Sequence, residues 1–196
     1  MSIFQPARLL QALMLIAGLG LLSACETNDL KKPPVPLGDF VMGLNIAVAD
    51  NVQVPGISRQ VTPDEWEAAM TQAMVDRFGR YDGTRIYNFG IAIDGYVLAP
   101  PGVPVVASPR SALIITVHVY DDATQTELNP GGKRLIMVEG ISPESFIGSG
   151  WTQSKKQQLA RMAYRGALAV QRYLLENPEW FGLPPLPTPG AASEGN

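Results

Sequence analysis

Two stretches of strict two-residue alternation constrain this chain most. Tyr87, Phe89, Ile91 and Ile93 recur at every second position, and so do Leu113, Ile115, Val117 and Val119. Successive side chains of a strand point to opposite faces, so each stretch is a strand with one apolar face. The intervening positions carry Asn88, Gly90 and Asp94 in the first stretch, and Thr116 and His118 in the second. A sheet patterned in this way is covered on one side and at least partly wet on the other.

The cover comes from two helices. Thr62, Pro63 and Glu65 supply an N-cap, a proline at the first helical position and the acid of a capping box. Trp66, Ala69, Met70, Ala73, Met74 and Phe78 then recur at intervals of three and four, and Gly79 ends the run. A longer helix is expected from Gln153 to Glu176, with Leu159, Met162, Ala163, Gly166, Ala167, Val170, Tyr173 and Leu174 along one side. The small residues in that stripe allow close approach to the sheet. Asn177-Pro178 stops the helix, leaving Trp180 and Phe181 to fold back as an apolar plug.

Two more strands complete the pattern. In Asp39 to Ala49, the residues Met42, Leu44, Ile46 and Val48 form one strongly apolar face. Beyond the bend at Asp121-Asp122-Ala123-Thr124 and the turn Asn129-Pro130-Gly131-Gly132, Lys133 to Glu139 is a strand with Leu135 and Met137 on one face. Ile136 and Val138 occupy its other face. The expected fold is an α+β two-layer sandwich of about four mainly antiparallel strands, in the order β-α-β-β-β-α, with both helices on one face.

What precedes the domain is an export leader. A positive start at Met1 and Arg8 leads into the apolar core Leu9 to Leu22, which holds about 14 residues where a membrane-spanning helix needs roughly 20. The leader closes on Leu22-Ser23-Ala24-Cys25, and Cys25 is the only cysteine of the chain. This tetrapeptide resembles the lipobox of bacterial lipoproteins. The resemblance implies cleavage before Cys25, a diacylglycerol thioether on its sulfur and acylation of the new amino group. Glu26, in place of the aspartate that would signal inner-membrane retention, favours the outer membrane. The divisions expected are a signal peptide over 1–24, the acylated cysteine and a proline-rich spacer over 25–38, one α+β domain over 39–182 and a disordered proline-rich tail over 183–196. The strand and helix order resembles small periplasmic domains of outer-membrane lipoproteins, among them auxiliary lipoproteins of lipid-transporting ABC systems and activator lipoproteins of cell-wall synthases. With one cysteine there is no intrachain disulfide, so burial alone must hold the domain in an oxidising compartment.

Composition narrows the function. The formal net charge is −3 and no block of basic residues stands out, which argues against nucleic-acid binding. No Gly-x-Ser-x-Gly elbow and no glycine-rich phosphate loop is present, and a single histidine leaves a triad or a histidine-rich metal site short of parts. His118 reads as a residue of the less apolar sheet face, bonded to a neighbour or to water. Asp50, Asp94, Asp121 and Asp122 could serve as paired acids only if the strand ends bring them together. The expectation is a protein without catalytic residues, metal or cofactor apart from the covalent lipid on Cys25.

Contact surfaces are sought in two long loops. Ala99 to Arg110 carries four prolines with Val103, Val105 and Val106, and Ile141 to Thr152 carries Phe146, Ile147 and Trp151 among glycines. These six residues are the partner-binding candidates, and the polar face of the sheet is the other. The leading expectation is a non-catalytic accessory lipoprotein, anchored to the membrane by lipid and docking on a protein of the envelope. The alternatives are a lipid or hydrophobic-ligand binder, with Met42, Met70, Met74, Met137 and Met162 as adaptable walls, and a hydrolase.

Overall fold

The computed structural model describes residues 29–100, 110–139 and 154–186. The signal peptide, Cys25, the two long loops apart from their ends, and the tail beyond residue 186 lie outside the described residues. Ahead of Pro34 the described residues are 29–33, which hold the 3₁₀ turn Asp29–Lys31.

The chain from Pro34 onward enters the sheet through β1 (Val41–Val48). Helix α1 (Pro63–Phe78) then returns the chain to β2 (Ile86–Val97), which pairs with β1 in parallel, as a helical crossover requires. β3 (Ala112–Asp121) pairs antiparallel with β2 along its whole length. The far edge of β3 is shared by the two-residue β4 (Thr126–Glu127) and by β5 (Lys133–Val138), both antiparallel to it. Helix α2 (Lys155–Leu175) and the 3₁₀ turn Pro178–Phe181 complete the order. The α+β sandwich is as expected, with five strands in place of four. The added one is β4, too short to carry a period.

Where β4 gives way to β5, Asn129 substitutes for strand pairing. Its Oδ1 accepts from Val119 N at 2.8 Å and its Nδ2 donates to Val117 O at 2.9 Å, so the edge of β3 stays satisfied across the turn. The turn closes on Gly132 at φ 73°, where a Cβ would stand 2.7 Å from His118 Nε2. A side chain there is excluded by both backbone and space.

Both helices cover one face. Trp66, Met70, Met74 and Phe78 of α1 and Met162, Ala163, Ala167 and Val170 of α2 are buried with Phe89, Ile91, Val117 and Val119 of the sheet. Thr62 and Glu65 make the capping box read from the sequence. Ser154 and Gln157 make a second one at α2, which therefore starts at Lys155 rather than Gln153. The plug also forms: Phe181 meets Tyr87 edge-on at 4.9 Å and Phe40 at 5.6 Å. Arg77, on the buried side of α1, donates to Gln171 Oε1 at 2.7 Å and lies over the Tyr164 ring.

The apolar row of β1 points the other way. Leu44, Ile46 and Val48 stand on the face opposite the helices, with exposures of 65%, 55% and 41%, while the small Ala47 and Ala49 turn inward. The reason is the close approach of α1: Asn45 Nδ2 donates to Thr71 O at 3.0 Å, and Ala49 N donates to Glu67 Oε1 at 3.0 Å. Large side chains on that side of β1 would push the helix away. The pairing also slips between Met42 and Asn45, a bulge held by Leu44 N donating to Asn88 Oδ1 at 2.7 Å.

Candidate docking face

The lipidation site Cys25 and the six partner-binding candidates, Val103, Val105, Val106, Phe146, Ile147 and Trp151, lie outside the described residues. The ends of the two loops are described, and they meet at one place. Ser111, at the start of β3, has Ala99 N within 3.4 Å of its Oγ, and its carbonyl accepts from Glu139 N at 2.8 Å. Gln158, in the first turns of α2, donates to Ala99 O and to Ser111 Oγ, both at 3.3 Å, and Arg161 forms an ion pair with Glu139. Both loops thus leave from the same end of the sheet, around a buried polar cluster.

The face of the sheet away from the helices is open. It is built in rows: Ile46, Gly90 and His118 lie side by side, and so do Val48, Ala92, Thr116 and Arg134. Ile136 and Val138 extend its apolar area on the far edge, exposed at 64% and 51%. Among the described residues neither helix packs on them, so the face carries large exposed aliphatic groups on both edges.

Because β2 contributes glycine at position 90, a trough runs between β1 and β3. It encloses about 270 Å³, with Leu44 and Ile46 on one wall and Tyr120 and Gln125 on the other. Asn88 ties the walls together, since its Nδ2 donates to Asp122 Oδ1 at 2.7 Å while its Oδ1 holds Leu44 N. Gln125 reaches the rim from a left-handed backbone at φ 53°, unusual for a residue other than glycine. Its amide donates to Asp122 O at 2.5 Å. Neither the trough nor the outward turn of β1 was identified from the sequence. The signal was there in the small Gly90 and Ala92 at the middle of β2.

The charged groups split by role. Asp121 is buried, which raises its pKa, but the Arg85 guanidinium at 2.6 Å and the amides of Ala123 and Thr124 outweigh burial and hold the carboxyl below its usual range. It is a turn former, as its neighbours suggested. His118 meets Glu127 through Nδ1, the bonded sheet histidine expected. Asp94 accepts from Thr116 Oγ1 at 2.7 Å, and Asn88, which holds Asp122, lies six residues before it on β2, so the two acids are about 20 Å apart along the strand. Paired acids for glycosidic cleavage stand at about 5–9.5 Å. The convergence of acids considered above therefore does not occur between Asp94 and Asp122. Among the described residues, no group of three or more His, Cys, Asp or Glu could hold a metal. No described helix is long and apolar enough to cross a membrane.

The methionines proposed as cavity walls are core. Met70, Met74 and Met162 are fully buried and Met137 nearly so, and the trough lies on the opposite face from them.

No protein-family model matches the chain, and no curated protein does. Among solved structures, a Xanthomonas campestris protein of the DUF330 family is 12% identical over 75% of this chain and 94% of its own, with a TM-score of 0.38. The PelC dodecamer of Paraburkholderia phytofirmans contributes a chain 12% identical over 67% and 91%, with a TM-score of 0.33. A minor lipoprotein of Acinetobacter baumannii is 9% identical over 70% and 97%, with a TM-score of 0.27. Likeness at this level leaves the functional reading to the chain's own residues.

Proposed function

We propose that this chain is a lipoprotein of the bacterial envelope, acylated on Cys25 and held at the outer membrane facing the periplasm, that serves as a non-catalytic accessory to an envelope protein. The reading rests on one observation above all: Leu44, Ile46, Val48, Ile136 and Val138 lie exposed on a sheet face that neither helix covers. A chain that builds a well-filled core on one face and leaves large aliphatic side chains on the other supports contact with another protein. The lipobox supplies the address. At roughly 3.3 Å per extended residue, a spacer of about a dozen residues lets the domain reach about 40 Å from its anchor.

Two measurements test the proposal. Cys25→Ser abolishes fatty-acid labelling in cells, and unchanged labelling would remove the anchor from the reading. A photo-crosslinking amino acid at position 46 captures one discrete envelope protein, whereas the same group at Lys156, exposed on α2, does not. Capture of the same products from both positions, or of none from either, would overturn the docking role.

A further inference from the structure

The two edges of the sheet are finished differently. At β1 the pairing slips between Met42 and Asn45, and the amide of Ala49, just past the strand, donates to Glu67 of α1 at 3.0 Å. A bulge and a helix thus guard that edge against another strand. β5, at the opposite edge, has neither device. Glu139 N donates to Ser111 O at 2.8 Å, and in an antiparallel ladder the residues that bond the neighbouring strand alternate. The backbone of Lys133, Leu135 and Met137 therefore faces β3, and the N–H and C=O groups of Arg134, Ile136 and Val138 face away from it. All three residues are exposed. Among the described residues no backbone group outside the ladder pairs with them. An unpaired row of this kind is a template for a further strand.

The side chains of β5 select which strand. When β5 pairs antiparallel with its own copy about a two-fold axis at Ile136, Ile136 stands beside the second copy's Ile136, and Arg134 beside the second copy's Val138. This register alone pairs the three outward residues with one another, so that every outward N–H and C=O finds a partner. On the helix-covered face it sets Leu135 opposite Met137 and Lys133 opposite Glu139, and no like charges stand directly opposite. Glu139 keeps its ion pair with Arg161, and Lys133 is exposed, its Nζ lying 5.5 Å from the centre of the Tyr173 ring. We propose that the chain forms a homodimer by antiparallel pairing of β5 with β5 of a second copy, in register about Ile136, so that one sheet runs through both. The inference goes beyond the docking role and does not depend on it. The open face stays uncovered, and Ile136 and Val138 of the two copies join across the axis into one aliphatic patch.

The test uses the full chain, in its membrane and in detergent. Where two antiparallel residues exchange hydrogen bonds, their Cα atoms stand about 5.5 Å apart, within the span that a disulfide bridges. Ile136→Cys is expected to give a disulfide-linked dimer when membranes are oxidised, whereas Val48→Cys, exposed on the opposite edge, is not. Ile136→Pro removes an N–H that faces away from β3, so it leaves the chain's own ladder intact and is expected to weaken the dimer about tenfold or more in sedimentation velocity. Ile136→Lys, which sets two like charges directly opposite, replaces it if the proline variant melts early. A parent chain that sediments as a monomer throughout, equal disulfide yields at positions 48 and 136, or a dimer unaffected by the variant at position 136 would overturn the assignment. If position 46 still captures an envelope protein under any of those results, the docking role stands and the dimer alone fails. If the dimer forms as expected but position 46 captures nothing, the dimer stands and the docking role fails.

Discussion

Asp39 shows how an exposed carboxylate can organise backbone. It accepts from the amide of Thr84 at 2.5 Å, from the Thr84 hydroxyl at 2.7 Å and from the amide of Arg85 at 3.3 Å, fixing the segment that leads into β2. The Thr84 amide first, then the hydroxyl and the Arg85 groups, hold its pKa below the usual carboxylate value despite some desolvation. Asp121 is lowered as well, and its partner is again Arg85. A carboxyl whose folded pKa lies below its unfolded value contributes stability above that unfolded value, about 3.9, and loses it as pH falls through the folded one. The melting temperature should therefore hold from neutrality down to about pH 5 and drop on acidification below about pH 4. Asp39→Asn should lower it at pH 7 and flatten part of the acid fall. An acid profile identical to that of the parent would show that Asp39 carries no such linkage. At this scale the sequence is least legible. Alternation in β1 sorts Leu44, Ile46 and Val48 onto one face, but it cannot say that the inner side belongs to Asn45, Ala47 and Ala49. Contact with Thr71 and Glu67 of α1 decides that.

Elements were more legible than residues, because each helix carries its own punctuation. Thr62-Pro63-Asp64-Glu65 states a start, and Ser154-Lys155-Lys156-Gln157 states another in the same code. Ser154 Oγ accepts from Gln157 N at 3.2 Å, and Gln157 Oε1 accepts from Ser154 N at 2.9 Å. Ser154→Ala removes one of these bonds at a position exposed to water, so it should cost about 1 kcal/mol and lower the melting temperature by about 2–4 °C. Calorimetry checks this, and an unchanged transition would mean that the first turn of α2 is held by packing alone. The parallel pairing of β1 and β2 was also within reach of the sequence, since a strand, a helix of this length and a strand form a crossover unit. β4 was not. Two residues have no periodicity, and their pairing depends on Asn129 bridging the edge beside them.

At the scale of the whole molecule, the two faces of the sheet do different work, and substitution can tell them apart. A chain with one cysteine has no intrachain disulfide to lean on, so its stability must come from the helix-covered face, where Ile91 and Val117 lie in the centre of β2 and β3. Ile91→Ala should cost about 2–5 kcal/mol, because the surrounding core cannot fully collapse into the space left behind. Ile46 lies beside Gly90 on the opposite face, one row of the sheet away. If that face is free in the isolated chain, Ile46→Thr with Val48→Thr should change stability by no more than about 0.5 kcal/mol. The same double variant should remove the crosslink expected from position 46. Urea denaturation separates the cases: a cost for the double variant near that of Ile91→Ala would mean that some part of this chain already covers the open face, and the face would then belong to the fold rather than to a partner. A near-neutral result leaves its aliphatic row without a structural reason inside the chain, and places that reason in a contact made outside it.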